Sequence, residues 1–73
     1  MARVEVESEV TGKVWKVEVG VGDRVAEGDV LVILESMKME IPVESPHAGT
    51  VAELRVAADE PVQEDQVVAV IAT

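Results

Sequence analysis

Residues 11–36 read TGKVWKVEVGVGDRVAEGDVLVILES, and residues 48–73 read AGTVAELRVAADEPVQEDQVVAVIAT. Laid over one another with a shift of 37 residues and no gap, they agree at Gly12/Gly49, Val14/Val51, Val19/Val56, Val25/Val62, Glu27/Glu64 and Val30/Val67. Apolar character is kept at Val17/Leu54, Ile33/Val70 and Leu34/Ile71, and charge at Asp23/Glu60. Turns also fall on turns, which scattered valine matches do not arrange. Self-similarity at a fixed offset marks a supersecondary unit that cannot bury its apolar face alone. Two strand-turn-strand copies packed face to face about a pseudo-twofold axis cover each other, and they meet through residues 35–47. In that arrangement Val17 and Leu54 share one core, and so do Ile33 and Val70.

Alternation outside and inside the repeat points the same way. Val4 and Val6 against Glu5 and Glu7 read as a strand with one wet face. Residues 13–19 put Trp15, Val17 and Val19 on one side and Lys16 and Glu18 on the other, so Trp15 is expected to pack inward. Gly20, Gly22-Asp23 and Gly28-Asp29 signal turns. Val30 to Leu34 is a nearly continuous apolar strand, and Ile41–Val43, Thr50–Val56 and Val67–Ile71 complete the set. Pro46 and Pro61 break the runs between them. Short strands at close spacing describe an all-β sandwich or barrel. No stretch carries a helical period.

The chain of 73 residues has a mass of 7.8 kDa and is read as one domain over 1–73. It has no cysteine and one histidine, His47, so neither disulfides nor an imidazole-built metal site can staple it. Its core must therefore come from apolar packing, and 17 valines with Trp15 as the only aromatic favour strands. Six Lys and Arg against 15 Asp and Glu leave a net charge of -9. That charge repels nucleic acid, and one aromatic offers no base-stacking platform. The longest apolar run falls far short of a membrane span, and residues 1–7 lack the blocks of a signal peptide. These features point to a soluble protein of a reducing, cytoplasmic compartment. No spacing singles out a nucleophile with its base, a phosphate loop or a metal cluster, so an enzyme is not expected.

Chemistry concentrates instead in Glu35-Ser36-Met37-Lys38-Met39-Glu40, between two strand readings. A two-residue turn at Met37-Lys38 pairs Ser36 with Met39, Glu35 with Glu40 and Leu34 with Ile41. Such turns need φ > 0 and favour Asn-Gly or Asp-Gly. Met-Lys is poor turn chemistry, costing about 1–2 kcal/mol per left-handed residue. A local rule broken at a protruding tip marks a functional demand. The matching position of the second copy falls beyond Thr73, so the first copy alone carries the tip. Pro42 places its strand at a sheet edge or at a bulge.

Glu35-Ser36-Met37-Lys38-Met39-Glu40-Ile41-Pro42 resembles the attachment hairpin of biotin carboxyl carrier domains, with Lys38 as the biotinylated lysine. Gly12, Gly22-Asp23, Val25, Gly28-Asp29 and Gly49 stand where that family places its turns, and the resemblance covers about residues 4–71. It implies a flattened barrel of two four-stranded antiparallel sheets with pseudo-twofold symmetry, of the biotinyl/lipoyl hammerhead type, in the short form without an inserted thumb. It also implies a non-catalytic, monomeric carrier similar to stand-alone biotinylated bacterial proteins. A biotin protein ligase joins biotin to Lys38, and a biotin carboxylase and a carboxyltransferase share the tethered group. The acceptor is commonly an acyl-CoA, as in acetyl-CoA carboxylase and fatty acid biosynthesis, or a 2-oxo acid; decarboxylases use the same carrier. The second half departs from the family pattern, with Asp59-Glu60-Pro61 and Asp65-Gln66 where glycine turns are usual. Glu9-Val10-Thr11 replaces a Pro- and Met-rich lead-in.

Each singled-out residue also has a plainer reading. Met37 and Met39 are either adaptable apolar contacts or selectors, since lipoyl-carrying relatives usually have Asp-Lys-Ala there. Glu35 and Glu40, with Ser36, are edge residues or ligase contacts. His47 reads as a loop residue and Trp15 as packing. The acidic surface reads as solubility, with docking of basic partners as the lesser alternative. Two rivals to the biotin carrier stand: a lipoyl carrier of a 2-oxo acid dehydrogenase or glycine cleavage system, and a cofactor-free β interaction module.

Overall fold

The computed structural model describes residues 2–73. Eight strands follow in order: β1 Arg3–Glu7, β2 Gly12–Val17, β3 Arg24–Val25, β4 Val30–Ser36, β5 Met39–Glu44, β6 Gly49–Leu54, β7 Pro61–Val62 and β8 Val67–Ala72. They form two four-stranded antiparallel sheets, β1-β8-β6-β3 and β5-β4-β2-β7, and the described residues contain no helix. Alternating valines and leucines turn one face of each sheet inward. Val14, Leu31, Val32, Leu34, Val51, Val68 and Ile71 fill the space between the sheets, with Val17 and Leu54 packed at its margin. This flattened all-β barrel is the expected fold.

The 37-residue repeat is structural: β2, β3 and β4 correspond to β6, β7 and β8. It also reaches further than 11–36. β1 corresponds to β5, and Val6-Glu7-Ser8 recurs as Val43-Glu44-Ser45. Ser8 and Ser45 are both buried, and each hydroxyl donates to the carbonyl two residues on, Val10 and His47, at 2.6 Å. Neither buried hydroxyl is left unpaired.

The halves interlace, where face-to-face packing of two separate units was expected. Each sheet takes two strands from either half. Turns bond across as well: Gly22 N–H donates to Val51 O and Asp59 N–H to Val14 O, at 2.8 and 2.7 Å. Interlacing gives the two-residue strands β3 and β7 a long partner each, β6 and β2. Strands that short satisfy their backbone groups only by such pairing.

Two expectations about faces are overturned. Trp15 does not pack inward; it is 47% exposed, while Val14 is fully buried. The register of β2 against β4 slips between Val14 and Lys16, so Trp15 and Lys16 together oppose Ile33. This bulge turns both outward and returns Val17 to the core side. Ile33 and Val70 share no core either. Leu34 and Ile71 point inward, so their neighbours Ile33 and Val70 lie on the outer faces of different sheets.

Candidate functional site

β4 and β5 form the hairpin read from the sequence, with Leu34 opposite Ile41, Glu35 opposite Glu40 and Ser36 opposite Met39. Met37 and Lys38 make the turn with φ of 52° and 66°. Both residues carry a Cβ in the left-handed region, a cost of about 1–2 kcal/mol each that glycine would avoid. Glu35 and Glu40 add a second local cost, because like charges directly opposite repel. β5 is an edge strand, which lets Pro42 sit opposite Ile33 without breaking a ladder.

The base of the hairpin is fastened while the tip stands free. Ser36 Oγ donates to the Thr11 carbonyl at 2.9 Å, and Thr11 Oγ1 accepts from Glu64 N–H at 3.1 Å. Gly12 lies against Glu35 so closely that a Cβ there would run into its carbonyl oxygen. These two residues, Thr11 and Gly12, belong to the site and were missed as such in the sequence. The signal was Thr11 itself, which stands where the second copy has Ala48. At the symmetry-related end Ala2 and Thr73 lie side by side, with Thr73 N–H donating to Ala2 O at 2.8 Å.

Glu35, Ser36, Met37, Lys38, Met39 and Glu40 are thus gathered on one projection. Met37 is 92% and Met39 64% exposed, so neither packs against the core. Lys13 and Lys16 reach Asp59 and Glu18 at 3.6 and 3.2 Å, whereas Lys38, also exposed, has no ion pair among the described residues. A primary amine on a long flexible stem, unpaired and open on all sides, suits covalent attachment of a carboxylic acid cofactor as an amide. It does not suit enclosed catalysis: an open cleft of about 830 Å³ between β1 and β5 is lined by none of residues 35–40. Among the described residues no acidic or imidazole cluster is placed to hold a metal, and no helix is long and apolar enough to cross a membrane. His47 is exposed in the loop after β5.

Comparison with known families matches residues 5–71 to the biotin/lipoyl family described as "Biotin-requiring enzyme". The chain belongs to the biotin/lipoyl attachment family. This biotinyl/lipoyl domain is 45% identical over 67 residues to the biotinylated protein TB7.3 homolog of Mycobacterium leprae, covering 92% of this chain and 94% of that one. It is also 45% identical over 47 residues to the biotin/lipoyl attachment protein of Bacillus subtilis, 64% of each chain. Among solved structures it superposes on the Kluyveromyces lactis urea carboxylase with a TM-score of 0.93 and 35% identity. That match covers 99% of this chain and 6% of the carboxylase. Domains of this type act as carriers, and the family takes in both biotin and lipoyl attachment domains.

Proposed function

We propose that the chain is a biotin carboxyl carrier, with biotin held as an amide on Lys38. The observation that carries this reading is the tip itself: an unpaired lysine between two exposed methionines, on a turn kept left-handed at both residues without glycine. Strain retained at a projection whose base is fastened supports a role that the turn's shape serves. The biotinylated M. leprae relative, similar along nearly the whole chain, supports biotin over lipoate.

Bound biotin supplies a ring nitrogen able to carry a carboxyl group between active sites. The protein's part is positional. The Lys38 stem gives reach, and the Ser36–Thr11 and Gly12–Glu35 contacts aim it. Tethering converts a bimolecular encounter into an effectively intramolecular one, so a rigid sheet with one long arm is what the task requires. The partners are a biotin protein ligase for attachment, and a biotin carboxylase and a carboxyltransferase for the shuttle. The acceptor is an acyl-CoA, such as acetyl-CoA in fatty acid synthesis, or a 2-oxo acid. A cytoplasmic, monomeric carrier fits these partners.

Intact mass after expression in a biotin-fed host with a biotin protein ligase tests the reading. One biotinyl group per chain is expected, and none in Lys38→Arg, whose guanidinium offers no acylable amine. A lipoyl adduct, no adduct, or full labelling of the Arg variant would overturn it.

A further inference from the structure

The pseudo-twofold provides an internal control for the two outer sheet faces. On the β1-β8-β6-β3 face, Val70 is only 2% exposed although it points away from the core. An ion network lies over it: Arg3 pairs with Glu53, Arg55 Nε with Glu53 Oε1 at 3.2 Å, and Arg55 Nη1 with Glu5 Oε2 at 3.9 Å. Shifted by 37 residues, Glu53 and Arg55 become Lys16 and Glu18, which form the same pair with the charges exchanged, at 3.2 Å. There the cover stops. Pro42 replaces Glu5, and Trp15 replaces Ala52. Ile33, the counterpart of Val70, is left partly exposed between them.

The result is an apolar row across three strands, Trp15–Ile33–Pro42, open on one face and sealed on its counterpart. It lies on the sheet that carries the hairpin. We infer that this row is the surface on which the biotin protein ligase docks while it acylates Lys38; the inference rests on the carrier reading above. The tip alone offers an enzyme little to grip. A standard interface buries about 800 Å² per partner, a disc of roughly 16 Å radius. Ile33 is three residues below Ser36, or about 10 Å along the strand. An enzyme that covers the tip at ordinary size therefore covers the row as well.

Charge gives the row a direction. On the β2 side Lys13 and Lys16 border it, already paired with Asp59 and Glu18, while Glu35, Glu40 and Glu44 on the β4–β5 side have no ion pair among the described residues. A partner with basic groups facing β5 and none facing β2 is held in one register and rejected in the reverse. Trp15 is the residue of greatest expected weight, since exposed tryptophans next to smaller apolar neighbours act as anchors when an interface desolvates them.

The test is steady-state biotinylation of the full chain by purified ligase, with the chain as the varied substrate. Trp15→Ala should raise KM about tenfold with kcat nearly unchanged, and Trp15→Phe should recover most of the loss. Glu44→Lys should also raise KM, by a factor that shrinks in high salt. Val21→Ala removes another exposed apolar side chain, outside this face, and should leave KM as it is. An unchanged KM in whichever of Trp15→Ala and Glu44→Lys keeps the parent melting temperature overturns the inference. So does a concentration-dependent dimer that Trp15→Ala abolishes, because a second copy would then occupy the face. Absence of labelling in the unsubstituted chain would overturn the carrier reading itself, which separates the two failures.

Discussion

Asp59 follows Gly22 by 37 residues and repeats its left-handed backbone, with φ of 72° against 96°. Asp65 repeats Gly28 in the same way, 71° against 90°. The turns are closed alike in both halves. Gly20 N–H donates to Asp23 Oδ2 at 2.8 Å, and Ala57 N–H donates to Glu60 Oε1 at 2.5 Å. The glycines absent from the second half are thus replaced by the residue type that best tolerates this conformation after glycine and asparagine.

A swap between the copies follows from that equivalence. Gly22→Ala should cost about 1–2 kcal/mol, the penalty for a Cβ in the left-handed region. Gly22→Asp should cost clearly less, since aspartate already serves at the related position. Thermal unfolding reads both, at about 4–8 °C per kcal/mol for a domain of this size. Equal losses in the two variants would mean that the shared turn geometry is not what governs the position.

The sequence exposed the symmetry, the strand set and the hairpin because each rests on local signals: identities at one offset, alternation, and a motif at a turn. It did not expose the interlacing. Alternation says which side chains share a face, but not which strand lies alongside. The two-residue strands β3 and β7 have no period of their own and exist through their partners. Trp15 was misread because a bulge inserts one residue without any compositional mark, so Trp15 and Lys16 both face outward while Val17 keeps the inward side read for it. The longer extent of the repeat was legible in Val6-Glu7-Ser8 and Val43-Glu44-Ser45, three identities in succession. The hairpin's fastening was not, because Ser36 and Thr11 are 25 residues apart.

Gly12 and Gly49 make a second matched pair with unequal consequences. A Cβ at Gly12 would meet the Glu35 carbonyl, and one at Gly49 the Ala72 carbonyl. Each alanine variant should lose about 1–3 kcal/mol, the range for overpacking a closed contact. Only Gly12→Ala displaces the hairpin base, so it alone should also slow biotinylation when both are assayed folded. Equal labelling rates would show that the base does not aim the tip.

Residues next to one another on β4 separate core from cover. Leu34 is fully buried between the sheets, and Leu34→Ala should cost about 2–5 kcal/mol. Ile33 is partly exposed on the outer face, and Ile33→Ala should cost about 1 kcal/mol, from partial burial alone. Denaturant midpoints decide it. A larger loss at Ile33 than at Leu34 would reverse the face assignment of the strand.

The last prediction concerns the choice between two related cofactors, and it rests on Met37 and Met39. Both are exposed, at 92% and 64%, so their shape matters to an enzyme that grips the turn and little to the fold. Met37→Asp with Met39→Ala converts the tip to the Asp-Lys-Ala pattern of lipoyl domains. Exposed substitutions usually stay within about 0.5 kcal/mol, and aspartate accepts the left-handed backbone of position 37 at least as well as methionine, so melting should barely move. Biotinylation should slow markedly, and a lipoate ligase should begin to modify Lys38. The switch should be partial, because Glu35, Glu40 and the fastened base are unchanged and a modifying enzyme meets them too. Competition between the two purified ligases, followed by intact mass, measures the outcome. Biotinylation of the double variant at the parent rate would leave the methionines without a role in selection.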